Sequence, residues 1–315
     1  MYPAYSVIFF SSASGAGYGL LIWLAVARLL GLWDLDDGVG LAACVVALAL
    51  VTAGLLSATF HLGHPERSWR AVSQWRSSWL SREGVAAILS YPPALLFTAG
   101  WWLEWMPGWL MTMAAIATTL LSITTVACTG MIYASLKPVP RWHNIWVVPV
   151  YLAFAFASGG LIALVPLSLS ASANLATLEG LLLVILFAWL LKWGYWRHID
   201  TAKATSTSGT ATGLDRFGEV TQLEAPHTSD NFILKEMGFV VARKHAVRLR
   251  KIALRMGAMI PAILVLLATI PTGVVQTAVL AFAVLCGLTG ILIERWLFFA
   301  EARHVVTLFY GTRQA

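Results

Sequence analysis

Between two long apolar runs the chain reads FHLGHPERSWRAVSQWRSSWLSRE, from Phe60 to Glu83. His61 closes the first run, where Gly63 and Pro65 stop a helix. Glu83 opens the next, two residues after Ser81. Imidazole titrates near neutral pH, and a carboxyl partly withdrawn from water moves toward the same range. Such groups at the edge of an apolar layer suit a ring that takes up two electrons and two protons, as a quinone does. His61 and Glu83 are therefore candidate quinone ligands, with Arg67 and Arg70 placed to hold the carboxylate or to steer an anionic partner. Simpler roles are open to both: a His favours a helix C-terminus and a Glu a helix N-terminus, each by about 0.3–1 kcal/mol.

Other reactive residue types are more scattered. The remaining histidines are His64, His143, His198, His227, His245 and His304, at helix ends or in loops rather than paired inside apolar runs. A transmembrane haem takes its axial ligands from the bundle interior, so no haem is expected. Cys44, Cys128 and Cys286 stand singly in apolar runs, which excludes an iron–sulfur or zinc-knuckle pattern and reads as small buried residues. Glu294 and Arg295, late in the last apolar run, are expected near the interface with their charges drawn toward water. There is no phosphate loop, metalloprotease helix or nucleophile elbow, and nucleic acid is not an expected partner. In the first apolar run Ser11, Gly15 and Gly19 recur every four residues, with Ala13 and Gly17 beside them. That spacing fits close helix packing or a groove for a flat ligand.

The elements that must position these residues are helices in lipid. Charged residues make up 11% of the chain and hydrophobic ones 59%, with mean hydropathy +0.76. A soluble domain carries roughly a quarter charged residues, so there is too little polar surface for one here. Eight runs long enough to span lie near 6–30, 39–62, 84–103, 109–136, 145–168, 175–197, 253–271 and 275–299. The predicted fold is all-α, a polytopic bundle of eight transmembrane helices, because lipid offers no partner to backbone groups outside a helix or closed barrel. The first run lacks a basic lead and a cleavage site, so it is expected to be retained. Fifteen Trp fit the two membrane–water boundaries.

Eight spans put both termini on one side, along with the loops after the second, fourth and sixth. All but Arg28 of the 21 Lys and Arg fall on that side, while the opposite loops hold Asp34, Asp36, Asp37 and Glu104. By the positive-inside rule the basic side is cytoplasmic, and a multi-pass protein of the inner membrane is expected. The chain divides into helices 1–6 over 1–197, a cytoplasmic linker and amphipathic segment over 198–252, and the last two spans with a tail over 253–315. Within the linker, Thr201 to Gly213 is rich in Ser, Thr, Gly and Ala. Asp230 to Arg255 alternates apolar with basic residues and reads as a surface helix, for lipid headgroups or for a docking partner.

Three stretches resemble the membrane-anchor subunits of the dimethyl sulfoxide reductase family. His61-Leu62-Gly63-His64-Pro65-Glu66-Arg67 is similar to that family's His-Leu-Gly-Ser-Pro-x-Arg, with His64 where Ser is usual. Ser81-Arg82-Glu83 matches its Ser-x-Glu, and Val139-Pro140-Arg141-Trp142 through Trp146 its Val-Pro-x-Trp motif. The resemblance implies an anchor that binds quinone (ubiquinone or menaquinone) and carries two partners, an iron–sulfur subunit on the cytoplasmic face and a molybdopterin catalytic subunit. It implies a quinone site of His61 and Glu83, extended to His64, Arg67, Arg70 and Ser81. Pro3 to Phe10, with Ser14 to Gly17, resembles the cytoplasm-facing, sulfite-oxidising branch. The alternatives are an anchor of a quinol-oxidising reductase, or a secondary transporter, which would show internal repeats and charged mid-membrane helices.

Overall fold

A computed structural model describes residues 3–61, 63–103, 105–202, 206–221, 223–224, 241–310 and 312. Helices α1 (Tyr5–Leu30) and α2 (Asp37–Ser57) lead into two 3-10 segments, Ala58–His61 and Pro65–Gln74. Next come α3 (Trp79–Ala99), α4 (Gly108–Ala134), α5 (Val147–Leu169) and α6 (Leu175–Thr201). Beyond the sixth loop lie α7 (Val241–Leu254), a π-helical turn at Arg255–Met259, α8 (Ile260–Leu267) and α9 (Gly273–Ala300). Among the described residues there is no β-strand, and the chain is all-α. Among the described residues six helices (α1, α2, α4, α5, α6 and α9) are long and apolar enough to cross a membrane. The two other predicted spans differ for local reasons. α3 opens on Arg82 and Glu83 and carries Pro92 and Pro93 at its centre. The run from α7 to α8 begins with basic residues and is divided by the π turn.

α6 continues to Thr201, past the expected end at 197. α7 passes through the π turn into α8 as one helical run. That turn presses Gly257 into a space where a Cβ would lie 2.0 Å from the Trp189 ring, and it sets Gly257 against Gly290 of α9. The first part of the predicted surface helix, 230–240, lies outside the described residues.

α1 sits at the centre and packs on α2, α4, α5 and α9. Its small residues explain how. A Cβ at Gly17 would lie 2.6 Å from the Ala47 carbonyl of α2, and one at Gly19 would lie 1.8 Å from that of Ala155 in α5. Lipid does not drive helices together as water does, so backbone approach of this kind supplies the contact. At Gly15 an added Cβ would meet nothing within 4 Å. The three cysteines are buried and free.

Candidate functional site

The loop between α2 and α3 is tied down by the first turns of α3. Ser78 caps the helix through the Ser81 amide, and the Ser81 hydroxyl donates to the Ala71 carbonyl. Arg82 donates from Nε to the Trp75 carbonyl at 3.0 Å and from Nη2 to that of Arg76 at 2.7 Å. Its guanidinium lies 4.2 Å over the Trp79 ring. Three of these contacts, to Ala71, Trp75 and Arg76, tie the end of the loop to the helix that carries Glu83.

Glu83 itself turns away from the loop. It is 4% exposed, and its carboxyl accepts a hydrogen bond from the Thr129 hydroxyl of α4. Ser81 is buried beside it. Arg67 and Arg70 do not hold this carboxylate. Arg67 Nε lies 3.7 Å from Glu66, Arg70 stacks 5.4 Å from the Trp69 ring, and both are exposed. The reason is geometric: Glu83, at the fifth position of α3, faces the bundle, while the 3-10 segment lies on the outside. His64 is also exposed, with Nδ1 3.0 Å from Glu66 Oε1. His61 ends the first 3-10 segment, and its side chain lies outside the described residues.

The expected snorkelling of Glu294 and Arg295 is overturned. Lys192 Nζ lies 2.5 Å from Glu294 Oε1, with side chains 1% and 0% exposed. Arg295 Nε is 3.5 Å from Glu294 Oε2, and its guanidinium lies 3.8 Å over the Tyr151 ring. A lone charge in lipid is costly and pairs where it can, and here α6 and α9 bring three together. The sequence carries one signal for this trio, ionisable residues inside apolar runs, but no sign of who pairs with whom.

Between α1, α4, α5 and α9 runs a crevice of about 10 Å³, lined by Ser11, Ser12, Gly15, Thr129, Tyr151 and Arg295 among others. That is room for about one water. Thr129 forms one wall with Glu83 behind it, and Arg295 another. These polar groups gather near the first turns of α1, α3 and α5 and the last turns of α4 and α9, which is a single end of the bundle.

Beyond this end lies an ion network. Arg141 Nη1 is 3.0 Å from Glu301 Oε2, and Arg250 bridges Glu301 and Asp200, each at 2.5 Å. Hydrogen bonds to Glu301 and Asp200 satisfy the Arg250 guanidinium on both sides. Trp142 Nε1 donates to the Phe298 carbonyl at 3.0 Å, and the Tyr195 hydroxyl to that of Arg141 at 3.0 Å. The Val139–Trp146 motif therefore fastens the start of α5 to α6 and α9.

Membrane-length apolar helices around a polar interior at one end define a multi-pass membrane protein. The DMSO reductase anchor subunit (DmsC) family matches residues 1–312. The protein is 36% identical to the C subunit of sulfite dehydrogenase from Allochromatium vinosum, over 98% of its own length and 99% of that relative's. It is 28% identical to the C polypeptide of the anaerobic dimethyl sulfoxide reductase of Escherichia coli, over 48% of its own length and 53% of that relative's. The protein belongs to the DMSO reductase anchor subunit family.

Proposed function

We propose that this anchor passes electrons from an iron–sulfur partner to membrane quinone, and that the electrons come from cytoplasmic sulfite. Near full-length similarity to a sulfite dehydrogenase subunit favours sulfite over a sulfoxide, whose relative matches only half of the chain. The observation that carries the quinone reading is the Glu83 carboxyl, buried beneath a loop rich in Arg and Trp and reached by the Thr129 hydroxyl. The proposed path has eight spans, α1 to α6, the α7–α8 run and α9. Both termini and the loop then face the cytoplasm from the inner membrane, with the sixth loop as a cytoplasmic linker between two transmembrane parts.

The iron–sulfur subunit docks on that face, where Arg67, Trp69, Arg70 and Trp75 are exposed, and a molybdopterin subunit binds through it. Sulfite and water yield sulfate, two electrons and two protons in the catalytic subunit. Ubiquinone or menaquinone takes up two electrons and two protons and leaves as quinol. His61 and Glu83 hold and supply protons at the ring carbonyls. Ser81 fixes the loop against α3, and His64, Arg67 and Arg70 form its outer, partner-facing side.

His61→Ala and Glu83→Gln test this in the assembled complex. Both partners are expected to co-purify and sulfite oxidation with a soluble acceptor to persist, while quinone-coupled turnover falls by about 10²-fold or more, as for loss of a proton-transfer group. Normal turnover with added quinone in both variants overturns the assignment. A complex that acts on sulfoxides but not sulfite removes the substrate and leaves the anchor role intact.

A further inference from the structure

Arg295 is a buried guanidinium with one nitrogen left open. Its side chain is 3% exposed, Nε leans on Glu294, and Lys192 holds Glu294 from the other side. Nη1 makes no hydrogen bond to any described residue, and Arg295 lines the same crevice as Thr129. A buried donor without an acceptor costs about 1–3 kcal/mol. Glu294 and the Tyr151 ring nonetheless hold this one in place.

Ser12 and Gly15 of α1 border the crevice. Tyr5 and Phe9 are 74% and 46% exposed, Ser12 is partly exposed, and the space beside Gly15 is open. These four follow one another at helical spacing and form one stripe leading inward from the lipid-facing surface. Past Gly15 the helix is sealed, with Gly17 and Gly19 pressed on α2 and α5. A ligand that suits both features is apolar enough to arrive through lipid and flat enough to lie where α1 has almost no side chain. It also offers an oxygen to a cation. A quinone ring meets all three demands. The narrow crevice takes only its carbonyl oxygen, and the ring rests along Ser12 and Gly15.

We propose that quinone enters sideways from the bilayer along the Tyr5–Phe9–Ser12–Gly15 face of α1 and is held at one carbonyl by Arg295 Nη1. Glu294 and Lys192 are positioning residues behind it, and the Thr129–Glu83 pair forms the facing wall. The inference rests on the quinone reading above and adds the route and the anchoring cation.

Photolabelling of the assembled complex with an azidoquinone, mapped by peptide mass spectrometry, tests it. Label is expected on α1 and α9 peptides of the native chain. It should fall by at least tenfold in Gly15→Phe, which fills the stripe, and in Arg295→Met, which leaves Lys192 and Glu294 as a balanced pair. A hydrogen bond from a charged donor, at about 1.5–3 kcal/mol, corresponds to roughly 10–100-fold in affinity. The Gly15 variant adds its side chain to open space, so it decides the matter even if Arg295→Met fails to assemble. Label confined to Phe60–Glu83 peptides, or unchanged in Gly15→Phe, overturns the lateral site and leaves quinone chemistry at the loop standing. A native chain that takes no label overturns both.

Discussion

Glu294 lies between two cations, and that arrangement sets an order of sensitivity. Lys192→Met leaves Glu294 with Arg295, still a balanced pair. Glu294→Gln leaves two buried positive charges close together with no counter-ion from the trio. Removing one partner of a buried ion pair costs about 3–5 kcal/mol, so Glu294→Gln should destabilise by at least that much, and Lys192→Met by clearly less. Thermal unfolding of the detergent-solubilised complex measures the difference, and equal losses contradict the pairing. At this scale the sequence was partly legible. Ser81 and Glu83 could be singled out from their motif, and Lys192, Glu294 and Arg295 stand out as charges in apolar runs. Thr129 could not be found, because one more Thr in a helix containing Thr118, Thr119, Thr124 and Thr125 carries no mark of its partner.

Helix α1 shows what periodicity can and cannot resolve. Gly15 and Gly19 are one helical turn apart and look alike in sequence, yet one faces open space and the other the backbone of α5. Gly19→Ala should therefore force α1 from α5 and cost about 1–3 kcal/mol or more, as overpacked sites do. Gly15→Ala should change the melting temperature of the complex hardly at all. Similar losses at both positions would show that the α1–α5 approach is not as described. Close packing holds at Gly17 and Gly19, while Gly15 on the preceding turn faces open space. The π turn had no sequence signature either. It arises where Gly257 meets Trp189 and Gly290, residues on two other helices.

For the molecule as a whole, the proposed orientation has a direct test. The native cysteines are buried, so an introduced thiol reports its own side. Ser77→Cys, in the basic loop, should resist an impermeant maleimide in intact cells and react after permeabilisation, while Leu32→Cys should react in both. The reverse pattern turns the loop outward and ends the cytoplasmic sulfite assignment. Membrane residence and helical architecture could be read from the sequence alone. Each follows from what a stretch of about 20 residues must satisfy by itself in hydrocarbon. The inward turn of Glu83, the pairing of Lys192 with Glu294 and the open flank of α1 were decided only by tertiary structure. They depend on how each helix is rotated against its neighbours, and that rotation is set by packing between residues far apart in the chain.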